Sequence, residues 1–253
     1  MNYINLIILG AGGTGGHLFD SVARLAYGMN ADPERPDLHL TLIDGDEVEE
    51  KNLLRQNFIL DDLGENKAEA LAYRYKDQMD VSTKAITEFF TKPEEIVALF
   101  DKDANFNVIV GAVDNHYARY LIEQAMVAHK DEYNAVWVDS GNGERFGQVI
   151  ISGSEKVLQL EKIRSFVPDA PSPKSPFELY PESFMDFSGT NGDVTQLSCE
   201  LAAISAPQNI ATNIIAAHVV FMVLNKLFAG EVINCYEYKF DTQDLGVTGR
   251  LHQ

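Results

Sequence analysis

Short apolar runs alternate with helical segments from residue 4 to residue 152, and this alternation limits the possible folds more than any other feature of the chain. The predicted strands cover residues 4–9, 38–44, 81–90, 107–113, 134–140 and 146–152, and the predicted helices cover residues 15–27, 67–79, 93–100 and 116–130. Strands that alternate with helices form a mostly parallel sheet with helices on both faces. The sequence therefore predicts an α/β fold with a Rossmann-like, doubly wound sheet. An apolar helix at 210–224 and a strand at 233–240 extend it toward the C-terminus.

The segment that precedes the apolar helix is rich in proline. Its stretch PDAPSPKSPFELYPES contains five prolines in sixteen residues. Proline interrupts helices and the interior strands of sheets, because it lacks a backbone N–H group and its ring clashes with the preceding turn. We therefore predict a crossover loop at about residues 154–198, inside a single domain that covers residues 1–253.

The charge of the chain limits its partners. It has 38 acidic and 20 basic residues, which gives a net charge of −18 at neutral pH. Acids spread along the whole length repel nucleic-acid phosphates and anionic lipids, so we expect neither nucleic acid nor membrane as a partner. The apolar run at 210–224 is interrupted by Asn213 and His218 and is shorter than the roughly 20 residues of a membrane span, which indicates a buried helix instead.

The two cysteines, Cys199 and Cys235, are too few and too far apart for a disulfide framework or a tetrahedral zinc site. The N-terminus shows no secretory signal. We therefore expect a cytoplasmic protein without zinc.

A glycine loop, GAGGTGG, lies directly between the first predicted strand and the first predicted helix. Gly10, Gly12 and Gly15 give the pattern G-x-G-x-x-G, and Gly13 is an additional glycine. In this setting the backbone approaches phosphates closely and the helix N-terminus presents free N–H groups to them. Asp44 ends the second strand, where such folds place an acid against ribose hydroxyls. The loop therefore predicts a nucleotide site, although a tight turn without a ligand has the same pattern.

An acidic stretch, DGDEVEEKNLLRQNF, follows the second strand. Its acids favour a helix, because negative charge stabilises a helix N-terminus. Asn52, Arg55 and Gln56 follow at helical spacing and share one face. Lys67 then begins the next helix, and Asp114 follows the strand at 107–113.

These polar residues indicate triphosphate chemistry at one edge of the sheet. Parallel α/β sheets bind ligands at the carboxyl ends of their strands, and the glycine loop, Asp44 and Asp114 all lie at such ends. A carboxylate there can hold Mg²⁺ against phosphate oxygens, while Arg55 and Lys67 neutralise charge that develops at phosphorus. Hydride transfer from a dinucleotide would leave both cations without a function.

Four motifs in this order resemble one family. GAGGTGG, IDGDEVEEKNLLRQ, LGENKA and VDNHYAR are similar to the ubiquitin-activating-enzyme-like family, which includes the bacterial ThiF, MoeB and HesA proteins. The resemblance covers most of residues 4–125 and returns more loosely at 198–226. The subgroup that the chain most resembles is the ThiF-like component of plasmid-associated PRTRC systems.

This resemblance implies an adenylyltransferase that uses ATP and Mg²⁺ to activate the C-terminal glycine of a small β-grasp protein. That partner would be a ubiquitin-like protein or a sulfur carrier ending in Gly-Gly, and pyrophosphate would be released. The matched positions imply that Asn52, Arg55 and Gln56 contact the phosphates, that Lys67 acts near the α-phosphate, that Asp114 holds the metal, and that Asp46 and Asn115 support them.

The resemblance also implies a possible second step and a homodimer. Cys199 lies in SCELAAISAPQNIATNIIAA, which is similar to the family segment whose cysteine accepts the activated carrier as a thioester or persulfide. The alternative is a small, partly buried cysteine that takes no part in a reaction.

The paired C-x-x-C motifs with which many relatives bind zinc are absent from this sequence, in agreement with the cysteine count.

Three other functions fit parts of the sequence. The same fold could adenylate a peptide or a tRNA base, although the negative charge disfavours tRNA. A non-catalytic nucleotide-binding scaffold would not need Asn52, Arg55, Lys67 and Asp114 together. A nicotinamide dehydrogenase fits least well, since hydride transfer gives Arg55 and Lys67 no role.

Overall fold

The computed structural model describes residues 2–154, 173–181, 209–233 and 235–250. Most of the predicted crossover loop at 154–198, and Cys199 with it, lie outside the described residues. The loop and the single-domain organisation therefore stay predictions.

All eight described strands form one sheet, in the order β3-β2-β1-β4-β5-β6-β7-β8. The strands are β1 (Tyr3–Leu9), β2 (Asp37–Ile43), β3 (Thr83–Ile86), β4 (Phe106–Gly111), β5 (Ala135–Asn142), β6 (Phe146–Gly153), β7 (Glu237–Asp241) and β8 (Gly246–Arg250). The first five pair in parallel, and β6, β7 and β8 continue the sheet in antiparallel pairing. This confirms the predicted Rossmann-like α/β fold with a C-terminal extension.

Helices cover both faces of the parallel strands. They are α1 (Gly13–Asn30), α2 (Lys67–Met79), α3 (Pro93–Val97), α4 (His116–Ala128), the short α5 (Pro176–Leu179) and α6 (Ile210–Phe228). The central strand β1 is buried on both sides, since Leu6 and Ile8 pack in the core formed with α1, α2 and α6, while Ile7 and Leu9 pack in the core formed with α3 and α4. The continuous apolar run of β1 is thus explained by burial on two faces.

Helix α6 is long and apolar enough to cross a membrane by length and composition alone. In the structure, however, residues such as Ala216, Val220 and Leu224 are buried in the core shared with α1 and the sheet. This is the buried helix that the sequence predicts.

Helix α5 is held at both ends. Ser175 donates a hydrogen bond of 2.9 Å to Glu123 on α4, and the hydroxyl of Tyr180 donates to Glu237 on β7. Between them, Phe177 packs edge-on against Tyr120. The segment therefore connects a helix of the parallel half with a strand of the antiparallel half.

The strands differ most from the sequence prediction at β3, β7 and β8. Strand β3 covers only Thr83–Ile86 of the predicted 81–90, and β7 begins at Glu237 rather than at residue 233. Strand β8 was not predicted, because GVTGR has two glycines and every one of its residues is exposed. Its backbone pairs with β7 without an apolar face, so no alternation in the sequence marks it.

Candidate functional site

One cleft lies at the carboxyl ends of the parallel strands and collects most of the predicted site residues. Its lining includes Gly10, Gly12, Gly13, Asp44, Asp46, Arg55, Gln56, Lys67, Asp114 and Asn115. Gly15 and Asn52 are not part of the lining. Residues that the sequence analysis did not assign to a site, among them Glu88, Phe89, Tyr117 and Asn142, complete it.

The glycine loop has a backbone that only glycine allows at two points. Gly10 adopts a φ of +100°, and a Cβ there would lie 2.5 Å from the carbonyl oxygen of Ala112. A Cβ on Gly15 would lie 1.8 Å from the carbonyl oxygen of Gly10. Gly15 is therefore needed for close packing of α1 on the loop rather than for contact with a ligand. Helix α1 begins here with no capping side chain and no acid in its first turn, which leaves its N-terminal dipole available to an anion.

Asp44 ties the end of β2 to this loop. One of its carboxylate oxygens accepts the N–H of Ala11 at 2.6 Å, and the other accepts the N–H of Asp46 at 2.9 Å. Burial raises the pKa of Asp44 above its usual value, while Lys67 and the two backbone hydrogen bonds act in the opposite direction. Each oxygen keeps a further lone pair, so the carboxylate can still accept from hydroxyl groups of a ligand.

Lys67 is a buried cation at the base of the cleft. Its ammonium forms an ion pair of 2.8 Å with Asp46, but only 7% of the lysine side chain is exposed, against 56% of the aspartate side chain. Asn66 holds the pair in place, since it caps α2 and donates to the carbonyl oxygens of Asp44 and Asp46. Both side chains line the cleft, and the carboxylate is the more exposed of the two.

Arg55 and Gln56 lie on a short turn instead of a regular α-helix. A 3₁₀ turn covers Glu50–Asn52, and the N–H groups of Arg55 and Gln56 then bond to the carbonyl oxygen of Asn52. Asn52 is buried, and its side chain accepts the N–H of Glu49 at 2.8 Å. The predicted polar face is thus divided, because Arg55 and Gln56 line the cleft while Asn52 holds the turn that carries them.

The guanidinium of Arg55 forms no ion pair with any carboxylate in the described part of the chain. Arg35, Lys84, Lys92 and Lys226 also lack an ion pair among the described residues, but Arg55 is the one of these five that lines the cleft. Lys67 and the start of α1 place further positive charge in the cleft, whose lining also holds the carboxylates of Asp44, Asp46, Glu88 and Asp114. A polyanion would therefore bind here together with a cation that offsets these carboxylates.

Asp114 follows β4 and is exposed at the mouth of the cleft. Its neighbour Asn115 caps α4 by accepting the N–H of Ala118 at 2.8 Å. No group of three His, Cys, Asp or Glu side chains suited to a metal ion occurs among the described residues. A single carboxylate is nevertheless a usual protein ligand for Mg²⁺, which takes its other ligands from water and nucleotide phosphates.

A buried ion pair that the sequence analysis missed holds the Asp114 loop. Arg119 binds both oxygens of Asp139 at 3.0 and 3.1 Å and also donates to the carbonyl oxygens of Val113 at 2.7 Å and Ser140 at 2.9 Å. Burial raises the pKa of Asp139, and Arg119 opposes this effect. Arg119 lies within the motif VDNHYAR, but its partner is on another strand, so the motif alone does not show its role.

Comparison with known proteins places this geometry in context. Residues 2–247 match the ThiF family, and no curated protein sequence matches the chain. The fold is similar to that of PaaA, with a TM-score of 0.64 and 18% identity over 98% of this chain and 64% of PaaA.

The fold is also similar to E. coli MccB crystallised with ATP, with a TM-score of 0.63 and 16% identity over 98% of this chain and 63% of MccB. The microcin C7 biosynthetic enzyme MccB in complex with N-formylated MccA gives the same TM-score and identity, over 98% of this chain and 64% of the other. This chain thus spans a little under two thirds of the length of these proteins. At such identities the similarity shows the fold alone.

Proposed function

Because the chain belongs to the ThiF family, we propose that it catalyses the ATP- and Mg²⁺-dependent adenylation of a carboxylate in a protein or peptide substrate. One observation carries the proposal. Arg55 has no ion-pair partner among the described residues and lines the same cleft as buried Lys67 and the uncapped N-terminus of α1. Support also comes from MccB, a similar structure crystallised with ATP.

The chemistry needs charge stabilisation more than proton transfer. A C-terminal carboxylate is already ionised at neutral pH. One of its oxygens attacks the α-phosphorus of ATP, the bond from that phosphorus to the bridging oxygen breaks, and pyrophosphate leaves with the electron pair. The main barrier is the electrostatic repulsion between the carboxylate and the triphosphate, and positioned cations lower this barrier.

Each part of the cleft has a distinct role in this step. The N–H groups at the start of α1 and the Arg55 guanidinium bind phosphate oxygens, and Lys67 neutralises charge near the α-phosphate. Asp44 accepts from the ribose hydroxyls. Asp114 would hold Mg²⁺, which would supply further positive charge to offset that of the phosphates.

For the acceptor, we favour the C-terminal glycine of a β-grasp protein, as the sequence resemblance implies. A peptide is the second candidate acceptor, and the similar structure of MccB in complex with N-formylated MccA favours it. We also propose that the protein is cytoplasmic, forms a homodimer and belongs to the PRTRC subgroup.

Exchange of radiolabelled pyrophosphate into ATP tests both acceptors. A β-grasp protein ending in Gly-Gly should support exchange, and the same protein without its last glycine should not. A synthetic peptide with the same last residues separates the two candidates, since a peptide acceptor would support exchange without the folded domain. Absence of exchange with every acceptor, together with no binding of ATP by calorimetry, would refute the adenylation proposal.

We further assign Cys199, which lies outside the described residues, to acceptance of the activated carrier. Attack of its thiolate on the acyl adenylate would form a thioester and release AMP. Cys199→Ala should keep pyrophosphate exchange but lose any carrier adduct that thiols cleave, whereas Cys235→Ala should keep both. An adduct that persists in Cys199→Ala would show that another residue accepts the carrier.

A further inference from the structure

A buried amide, Asn213, lies in the first turn of the otherwise apolar helix α6. It is 0% exposed, and a buried amide is costly unless its hydrogen bonds are satisfied. Its side-chain oxygen accepts the amide N–H of Asn142 at 2.8 Å. Its side-chain nitrogen donates to the carbonyl oxygen of Arg55 at 3.4 Å. The asparagine therefore joins the end of β5 to the turn that carries the unpaired cation.

The same network reaches the glycine loop. The oxygen of the Asn142 side chain accepts the hydroxyl of Thr14, in the first turn of α1, at 3.2 Å. A Cβ on Gly13 would lie only 2.2 Å from the side-chain nitrogen of Asn213. The extra glycine of GAGGTGG is thus explained by Asn213, which packs directly against the loop backbone.

Arg55 is fixed through its backbone, which Asn213, Asn52 and His17 contact. Its guanidinium has no carboxylate partner among the described residues, so the position of its backbone decides where the charge lies. The far end of the turn is held separately, since Asn57 donates to the carbonyl oxygen of Gly16 at 3.1 Å and accepts from Arg74 at 2.9 Å. Asn213 donates to the carbonyl oxygen of Arg55 itself, and the His17 side chain also forms a hydrogen bond with the Arg55 backbone.

We propose that Asn213 is a positioning residue, which holds the Arg55 turn against the glycine loop so that both converge on the phosphates of the nucleotide. This inference rests on the proposed function and adds to it a residue on a helix remote from the four sequence motifs. Asn213 contacts no ligand in this scheme and acts through Asn142, the backbone at Gly13 and the Arg55 carbonyl.

The variant Asn213→Ala tests the proposal through ligand selectivity. Loss of the anchor should weaken ATP binding about tenfold, because a displaced guanidinium loses a charge-assisted contact to phosphate. Adenosine has no phosphate, so its affinity should change by less than about twofold. Calorimetry with each ligand gives both values. Asn213→Asp keeps the shape but cannot donate to Arg55, so we expect the same selective loss.

A matched control lies in the same turn of α6. Thr212 is also 0% exposed, and its hydroxyl donates to the carbonyl oxygen of Glu144 at 2.7 Å, away from Arg55. Thr212→Val removes a hydrogen bond that is as deeply buried, and it should leave both affinities unchanged. Equal losses for ATP and adenosine in Asn213→Ala would overturn the proposal, since they would indicate only a damaged fold.

Two further measurements separate this proposal from the proposed function. In an Arg55→Ala background, Asn213→Ala should cause no additional loss of ATP affinity, and an additive loss would contradict action through Arg55. Amide hydrogen exchange at Arg55 and Gln56 should be faster in Asn213→Ala and unchanged in Thr212→Val. If the unaltered protein fails to bind ATP, the proposed function is wrong, and the exchange rates alone decide whether Asn213 holds the turn.

Discussion

Replacement of Lys67 by methionine should separate stability from activity. The lysine side chain is 7% exposed and its partner Asp46 is 56% exposed, at an ion-pair distance of 2.8 Å. When the cation is removed, its partner Asp46 is already in contact with water, and the more buried Asp44, which Lys67 also stabilises, keeps its two backbone hydrogen bonds. The large cost of a stranded, unsatisfied buried charge therefore does not arise. Pairs that are half exposed contribute about 1 kcal/mol or less. Methionine also keeps the volume of the buried stem, so the free energy of unfolding should fall by about 1 kcal/mol at most.

The activity should respond very differently to the same change. A preorganised charge that faces the reacting phosphate typically contributes about 10²- to 10³-fold to the rate. We therefore expect Lys67→Met to lower pyrophosphate exchange by about that factor while ATP affinity falls much less.

Urea unfolding and exchange kinetics on the same preparation test this contrast. Lys76→Met is the control, because Lys76 is on the same helix and pairs with Asp80 at an exposed position. Lys76→Met should leave both the free energy of unfolding and the rate of pyrophosphate exchange nearly unchanged. A loss of about 3 kcal/mol or more in Lys67→Met, with exchange reduced only in proportion to unfolded protein, would show that Lys67 is a structural residue.

Three other predictions follow from single features of the structure. Asp114→Asn should lower exchange about 100-fold or more with an unchanged melting temperature, since Asp114 is exposed; normal exchange would exclude its role in holding Mg²⁺. Gly15→Ala should destabilise the fold by about 1–3 kcal/mol in urea unfolding, because the new Cβ meets the Gly10 carbonyl at 1.8 Å, whereas Gly28→Ala has free space and should be neutral or stabilising. Burial raises the pKa of Glu123 from 4.5 to about 7, so the folded protein binds this proton more tightly than the unfolded chain does, and stability falls as the pH rises between these two values. Glu123→Gln should remove this fall, and parallel profiles of melting temperature against pH for the variant and the unaltered protein would contradict the prediction.

The parallel half of the fold could be predicted because its signals are local. The central strands β1, β4 and β5 each contain an apolar run, and α2 matches the predicted 67–79 at both ends. The glycine loop, Asp44 and Asp114 could be placed at one edge of the sheet because each directly follows a parallel strand, and the structure brings them to the lining of one cleft with Arg55 and Lys67.

The residues that hold those groups could not be predicted, because their partners are distant in sequence. Asn213 contacts Asn142 and Arg55, which are 71 and 158 positions away. In the sequence it is a polar interruption of an apolar helix, with nothing to show which backbone it meets. Arg119 looks like an ordinary helical arginine until β5 places Asp139 beside it. Strand β8 has no apolar periodicity because its pairing depends on backbone groups alone.

The pairing of β1 with β4 has a consequence for how such a site could diversify. Leu9 and Gly111 are direct neighbours in this parallel pair, and the chain leaves the two strands toward helices on opposite faces. The gap between the glycine loop and the Asp114 segment therefore follows from the ordinary spacing of adjacent strands, about 4.8 Å. Loops elsewhere could therefore change in length or composition to suit a different acceptor, while the distance between the glycine loop and the Asp114 segment stayed the same.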